Sequence, residues 1–140
     1  MSTSRYTVET LVLTHAAVLD MMGAGIAKAE QIGQPQCIVI VDASGETLGQ
    51  IRMVGAKYLS MKSARAKART AASIGAETTA IPETVGPAIA AATDGDVTRL
   101  GGGLPIRVDG HLLGGIGVGS GSPADDLAVA EAALSVLERG

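Results

Sequence analysis

Four side chains near the middle of the chain have the types that acid–base chemistry needs: Arg52, Lys67, Thr70 and Glu77. An arginine can clamp a carboxylate through two parallel N–H bonds. Lys67 lies towards the alanine side of its helix, near Ala64, Ala68 and Ala71, away from the row Lys62, Arg65, Arg69. Burial lowers a lysine pKa and makes the amine a usable base or Schiff-base nucleophile. Thr70 follows Lys67 at i+3, and Glu77 lies in the loop beyond. With glycine-loop amides holding an oxyanion, Arg52 as anion clamp and Lys67 or Glu77 as base, such a set could run a cofactor-free isomerase or lyase reaction. The structural alternative is that Arg52 and Lys67 form ion pairs with Asp42 or Asp126.

A second candidate is the stretch from Gly101 to Pro123, which holds nine of the chain's 19 glycines. Glycine is costly in a strand and marks close approach by a backbone or a ligand. Gly102, Gly103, Leu104 and Pro105 form one amide-rich segment; Gly117, Gly119 and Ser120 lead into a helix start that could attract an anion. Tight packing and oligomer contact explain the same glycines without a ligand. There is no Gly-Lys-Ser/Thr ending of a phosphate loop, and no dinucleotide fingerprint in a βαβ unit. The two histidines differ. His15 continues an apolar helical stripe, which suits a core or interface residue; His111 follows a turn and points to solvent. No cluster has zinc spacing, so no metal site is expected.

These side chains need elements to hold them. Residues 7–32 have apolar residues at helical spacing, with Thr7 as cap and Gly33-Gln34-Pro35 as stop. Residues 36–41 form an apolar, β-branched run of the kind buried on both faces, and residues 47–54 return after the turn Asp42-Ala43-Ser44-Gly45-Glu46. Residues 60–74 and 82–93 suit helices. Residues 104–108 and 112–118 are strands joined by Asp109-Gly110, the pair that favours a type I′ turn. Ser122-Pro123-Ala124-Asp125 opens a last helix that ends near Arg139. Hairpins flanked by helices predict an α+β domain with an antiparallel sheet, the long and terminal helices on one face and the middle helix elsewhere. With no linker or internal repeat, residues 1–140 are expected to form one domain.

The balance of composition narrows the function. Net charge is −3 with no basic block, and the only aromatics are Tyr6 and Tyr58, so nucleic acid is not an expected partner. The absence of Phe and Trp also leaves few large side chains to stack on a planar ligand. The single Cys37 sits in a strand and cannot pair internally. No run is long and apolar enough for a membrane span and none resembles a signal peptide, so a cytoplasmic location is the default expectation.

The chain resembles the GlcG/HbpS family, the haem-degrading domain family, over nearly its whole length. The resemblance rests on Ala29-Glu30, Gly33 and Pro35; Val39-Ile40-Val41-Asp42-Ala43-Ser44-Gly45; Arg52-Met53; Lys67-Ala68-Arg69-Thr70-Ala71; Gly102-Gly103-Leu104-Pro105-Ile106; Asp109-Gly110; Gly114 to Gly119; and Ser122-Pro123 with Asp126. It implies a profilin-like fold with a five-stranded antiparallel sheet between helices in α/β/α layers. It implies a homo-oligomer, often an octamer, and haem as a ligand, which gives His15 the alternative reading of an axial haem ligand; some relatives are fused to adenosyltransferases. The chain has Val54-Gly55 where the family usually has Asp-Gly, beside the family's cleft. Family resemblance specifies fold more closely than function. The expected function is therefore a cytoplasmic small-molecule-binding protein for haem or an anionic metabolite. The alternatives are an isomerase or lyase acting on a small carboxylate or carbonyl compound in a catabolic pathway, and a structural partner of another enzyme.

Overall fold

The computed structural model describes residues 4–138. Helix α1 (His15–Ile32) is followed by strands β1 (Cys37–Asp42) and β2 (Thr47–Arg52), helix α2 (Ser60–Ile74), helix α3 (Gly86–Ala92), strands β3 (Gly103–Val108) and β4 (His111–Gly119), and helix α4 (Pro123–Leu134). Short 3₁₀ turns lie at Thr78–Ala80 and Ser135–Glu138.

All strand pairs are antiparallel, in the order β2-β1-β4-β3. The sheet has four strands among the described residues, not the five that the family resemblance implies. The connection from α2 to β3 is taken up by a 3₁₀ turn, α3 and loops. Thr70 on α2 fastens that connection, donating to the Asp96 carbonyl at 3.1 Å and accepting from the Thr98 amide at 3.0 Å.

The centre of the sheet is β1 and β4. Side chains alternate across a strand, so β1 serves two cores. Ile38 and Ile40 pack with Ile116, Val118 and the α1 and α4 residues Val18, Met21, Val129 and Ala133. Cys37, Val39 and Val41 pack on the other face against Ala64, Ala68 and Ala72 of α2. The result is a three-layer arrangement with α1 and α4 on one side and α2 on the other, as the order of elements predicts. Cys37 is fully buried, and burial chiefly pushes its thiol pKa up.

The glycines of β4 explain how α2 sits. A Cβ at Gly115 would meet the Ala68 carbonyl oxygen, and one at Gly117 would meet the Ala64 carbonyl oxygen. At Gly119 it would lie 3.0 Å from the Ser60 carbonyl oxygen. Every second residue of the strand therefore faces successive turns of one helix backbone. At Asp109-Gly110 both residues have positive φ (51° and 78°), the signature of the type I′ hairpin.

Four boundaries differ from the sequence reading. Helix α1 starts at His15, not Thr7: Thr14 is its cap, its hydroxyl accepting from the Ala17 amide at 3.1 Å. Before it, β-branched Thr7, Val8, Thr10 and Val12 disfavour helix. Val8 and Val12 are 76% and 77% exposed, so no core contact compensates. Strand β2 ends at Arg52 because Gly55 (φ +95°) turns the chain away. Helix α3 starts at Gly86 with Pro87 in its first turn, leaving Pro82 to Val85 in the preceding turn. Ser122 caps α4 as its sequence suggests, accepting from Asp125 N at 3.1 Å, but α4 ends at Leu134 and gives way to the 3₁₀ turn Ser135–Glu138, short of the expected end near Arg139, which lies outside the described residues.

The β1–β2 turn carries a pH-dependent lock. Asp42 Oδ1 accepts from the Ser44 hydroxyl at 2.7 Å and from the Ser44 and Glu46 amides at 2.9 and 3.1 Å. These bonds, the Ser44 hydroxyl first, hold its carboxyl below the ordinary value of 3.8. A carboxylate with a lowered folded pKa stabilises fully above its unfolded value, and that contribution is lost as pH falls through the folded value. Asp42→Asn should flatten the acid limb of a melting-temperature profile taken from about pH 2 to 7, with little change at neutral pH beyond the lost lock. An unchanged acid limb would contradict the assignment.

Candidate functional site

A groove of about 620 Å³ runs between α1 and the edge strand β2. Val18, Leu19, Met22 and Ile26 line it from α1, and Leu48, Gly49 and Ile51 from β2. Ile51 pairs with Ile38 and Gly49 with Ile40, so both share the face that α1 covers. Gly49 forms a floor close to the helix: a Cβ there would lie 2.9 Å from Val18 Cγ1. Leu19 is 68% exposed and Leu48 and Ile51 are 41% and 39% exposed, so the apolar walls open to solvent. The volume falls within the range of cofactor sites.

His15 lines one end of this groove, beside Leu13, and is exposed. It is in the first helical turn because Thr14 caps the helix immediately before it. Among the described residues no Asp, Glu, Lys or Arg lines the groove, and this imidazole is the one titratable side chain there. A second cavity of about 550 Å³ continues from Ile26 and Ile51 past Gly33, Pro35, Met53 and Val54. The departure from the family at Val54-Gly55 therefore borders this second cavity, and the Val54 side chain is fully exposed.

The proposed acid–base set is dispersed. Lys67 is buried, and its ammonium donates to the Val118 carbonyl at 2.7 Å and to Asp126 Oδ2 at 3.0 Å. This is the Lys67–Asp126 ion pair that the structural alternative anticipates. Thr70 is buried and fully engaged by the Asp96 and Thr98 backbone. Arg52 and Glu77 are exposed. Arg52 pairs with Cys37 in the ladder, which places it on the α2 side of the sheet, away from the groove. None of the four lines either cavity.

Packing occupies the glycine segments. A Cβ at Gly102 would lie 2.8 Å from Asp126 Cβ and 3.3 Å from Lys67 Nζ, and one at Gly103 would meet Thr78 and the Lys67 carbonyl. Leu104 and Pro105 are half-buried in β3. Gly117 and Gly119 face α2. Ser120, at φ 92°, accepts from the Lys57 amide at 2.9 Å. The amides expected to hold an anion are used internally: Gly121 N–H donates to Asp126 Oδ1 at 3.0 Å, and Asp125 N–H to Ser122. Of the twelve candidate residues, His15 alone lines the groove.

The sequence reading missed Met22, Leu48 and Gly49 as site residues, since nothing local shows that the faces of α1 and β2 converge. Gln36, which lines neither cavity, is fully buried with both side-chain amide atoms unpartnered. Its signal was visible: a long polar side chain directly before an apolar strand. Among the described residues, no group of three His, Cys, Asp or Glu side chains could hold a metal ion, and no helix is long and apolar enough to cross a membrane.

Residues 13–135 match the family described as haem degrading protein HbpS-like. The corrinoid adenosyltransferase PduO of Salmonella typhimurium is 32% identical over 122 residues, covering 84% of this chain and 36% of that protein. The chain thus spans about a third of this curated relative. Among solved structures, Klebsiella pneumoniae protein ORFY superposes with a TM-score of 0.91 at 27% identity, covering 98% of both chains. A structure of PduOC in complex with haem superposes with a TM-score of 0.83 at 29% identity, covering 89% of this chain and 94% of that one.

Proposed function

We propose that this chain, which belongs to the HbpS-like haem-degrading family, is a cytoplasmic haem-binding protein whose site is the groove between α1 and β2. The observation that carries the reading is the exposed His15 imidazole at the end of an apolar groove with no charged lining. The residues fit the group: aliphatic walls suit a macrocycle, and a neutral imidazole is a good ligand for haem iron. Val18, Leu19, Met22, Leu48 and Ile51 would hold the porphyrin by apolar contact, and His15 would orient it through the iron. When bound, haem supplies redox and ligand-binding chemistry at its iron. This chain's residues would exclude water from the apolar contact and fix the ligand's position. That a PduOC structure holds haem supports the ligand choice.

The groove favours haem over a small anionic metabolite, because its lining among the described residues is apolar, as a macrocycle needs, and holds no Lys or Arg for a bare anion. Isomerase or lyase chemistry forms no part of the reading, since Arg52, Lys67, Thr70 and Glu77 line neither the groove nor the cavity beside it. Assembly into a homo-oligomer accompanies it. Strand β2 is a sheet edge, and Tyr6, Val8, Val12, Leu19 and Val54 expose 68–100% of their surface. Unpaired edges and exposed apolar patches favour association.

Titrating the protein with haemin should give a saturable shift of the Soret band. His15→Ala should weaken binding by at least about tenfold, a loss of about 1.4 kcal/mol or more. Imidazole added to that variant should restore the spectrum of the wild type. A wild type that leaves the Soret band unshifted would overturn the reading, and an unaltered spectrum in His15→Ala would remove His15 as the ligand.

A further inference from the structure

A third cavity, of about 480 Å³, lies on the α2 side of the sheet, opposite the groove. The β1–β2 turn (Ala43, Ser44, Gly45), the α2 residues Arg69 and Ser73, and Asp96 supply its polar wall, and Ala72, Val97 and Leu112 its apolar floor. We propose that it binds a small zwitterionic amino acid.

The walls are fixed before any ligand arrives. Asp42 locks the turn through three hydrogen bonds. Thr70 holds the Asp96 backbone against α2. Gly45, at φ +84°, leaves room for Arg69 to lie across the turn: a Cβ there would sit 3.4 Å from Arg69 Nε.

The charges are opposed, paired at long range, and open to solvent. Arg69 and Asp96 approach at 3.5 Å with side chains 37% and 54% exposed. That separation is longer than a charge-assisted hydrogen bond, and a guanidinium has five N–H donors to place. An amino acid carries both complementary groups on one carbon. Its carboxylate would take the Arg69 fork and the Ser73 hydroxyl, one turn further along α2. Its ammonium would face the Asp96 carboxylate, and its side chain would rest on Ala72, Val97 and Leu112. A simple anion would meet Asp96 repulsion, and a simple cation Arg69 repulsion.

Alanine, propionate and ethylamine separate these terms, because the latter two each lack one charge. Titrated into the full chain and followed by backbone-amide NMR, alanine should shift Gly45 and Asp96 in a saturable way. Propionate and ethylamine should bind at least about tenfold more weakly, since each forfeits a charge pair and meets a like charge. Arg69→Gln should abolish the alanine shifts while leaving the melting temperature and the haemin titration unchanged. Should Arg69→Gln alter the fold, Asp96→Asn provides the second arm: alanine should then lose its advantage over propionate. The proposal is overturned if alanine leaves Gly45 and Asp96 unshifted, if propionate binds as well as alanine, or if either variant keeps wild-type affinity and selectivity.

Discussion

Asp126→Ala is expected to lower the free energy of unfolding by about 3–5 kcal/mol, the cost of stranding a buried charge. The Lys67 and Asp126 side chains are 6% and 4% exposed and meet at 3.0 Å. Lys67 belongs to α2 and Asp126 to α4, which lie on opposite faces of the sheet. The lysine reaches past the end of β3, where Gly102 leaves it space, and takes the Val118 carbonyl on the way. Asp126 also holds the Gly121 amide at 3.0 Å, so its loss frees the chain entering α4. Urea denaturation monitored by circular dichroism measures the effect. The double variant Lys67→Met/Asp126→Leu should be much less damaging than Asp126→Ala, because no charge is left buried. A loss below about 1 kcal/mol in Asp126→Ala, the range of an exposed pair, would contradict this role.

Gly117→Val should be comparably damaging, by about 3 kcal/mol or more, because overpacking a rigid site forces the backbone to move. A Cβ at residue 117 would meet the Ala64 carbonyl oxygen and lie 2.5 Å from the Ala68 amide nitrogen. Neither is a flexible side-chain end; both belong to the α2 backbone. Helix α2 would have to lift from β4, exposing Val39, Val41 and its own alanines. Gly23→Ala is the contrasting case. Its Cβ meets nothing within 4 Å, and it lies inside α1. It should stabilise by about 0.5–1 kcal/mol through helix propensity. Equal melting temperatures for Gly117→Val and wild type would overturn the close-approach account of the β4 glycines.

Much of this architecture is legible in the order of residues. The β-branched run of β1, the Asp109-Gly110 turn and the Ser122 cap each act through their immediate neighbours, and each forms where expected. Thr7 illustrates the limit: helical spacing from Val8 onwards suggests a cap there, but the β-branched segment gains no core contact and the helix waits for Thr14. The glycines of β4 announce close approach without saying to what; α2's backbone is the answer. The pairing of α1 with β2 depends on contacts between distant elements, which no local pattern encodes. For that reason His15 is legible as a residue on an apolar stripe, while the groove it lines is not. Lys67 is legible as a buried lysine, and its partner across the sheet distinguishes a tie between layers from a catalytic base.

The most direct test of the central claim is the electron density of a crystal of the protein grown or soaked with haemin. The account predicts a porphyrin between α1 and β2, against Val18, Met22 and Ile51, with its iron bonded to the His15 imidazole. A porphyrin bound elsewhere, or iron held by a different residue, would contradict it.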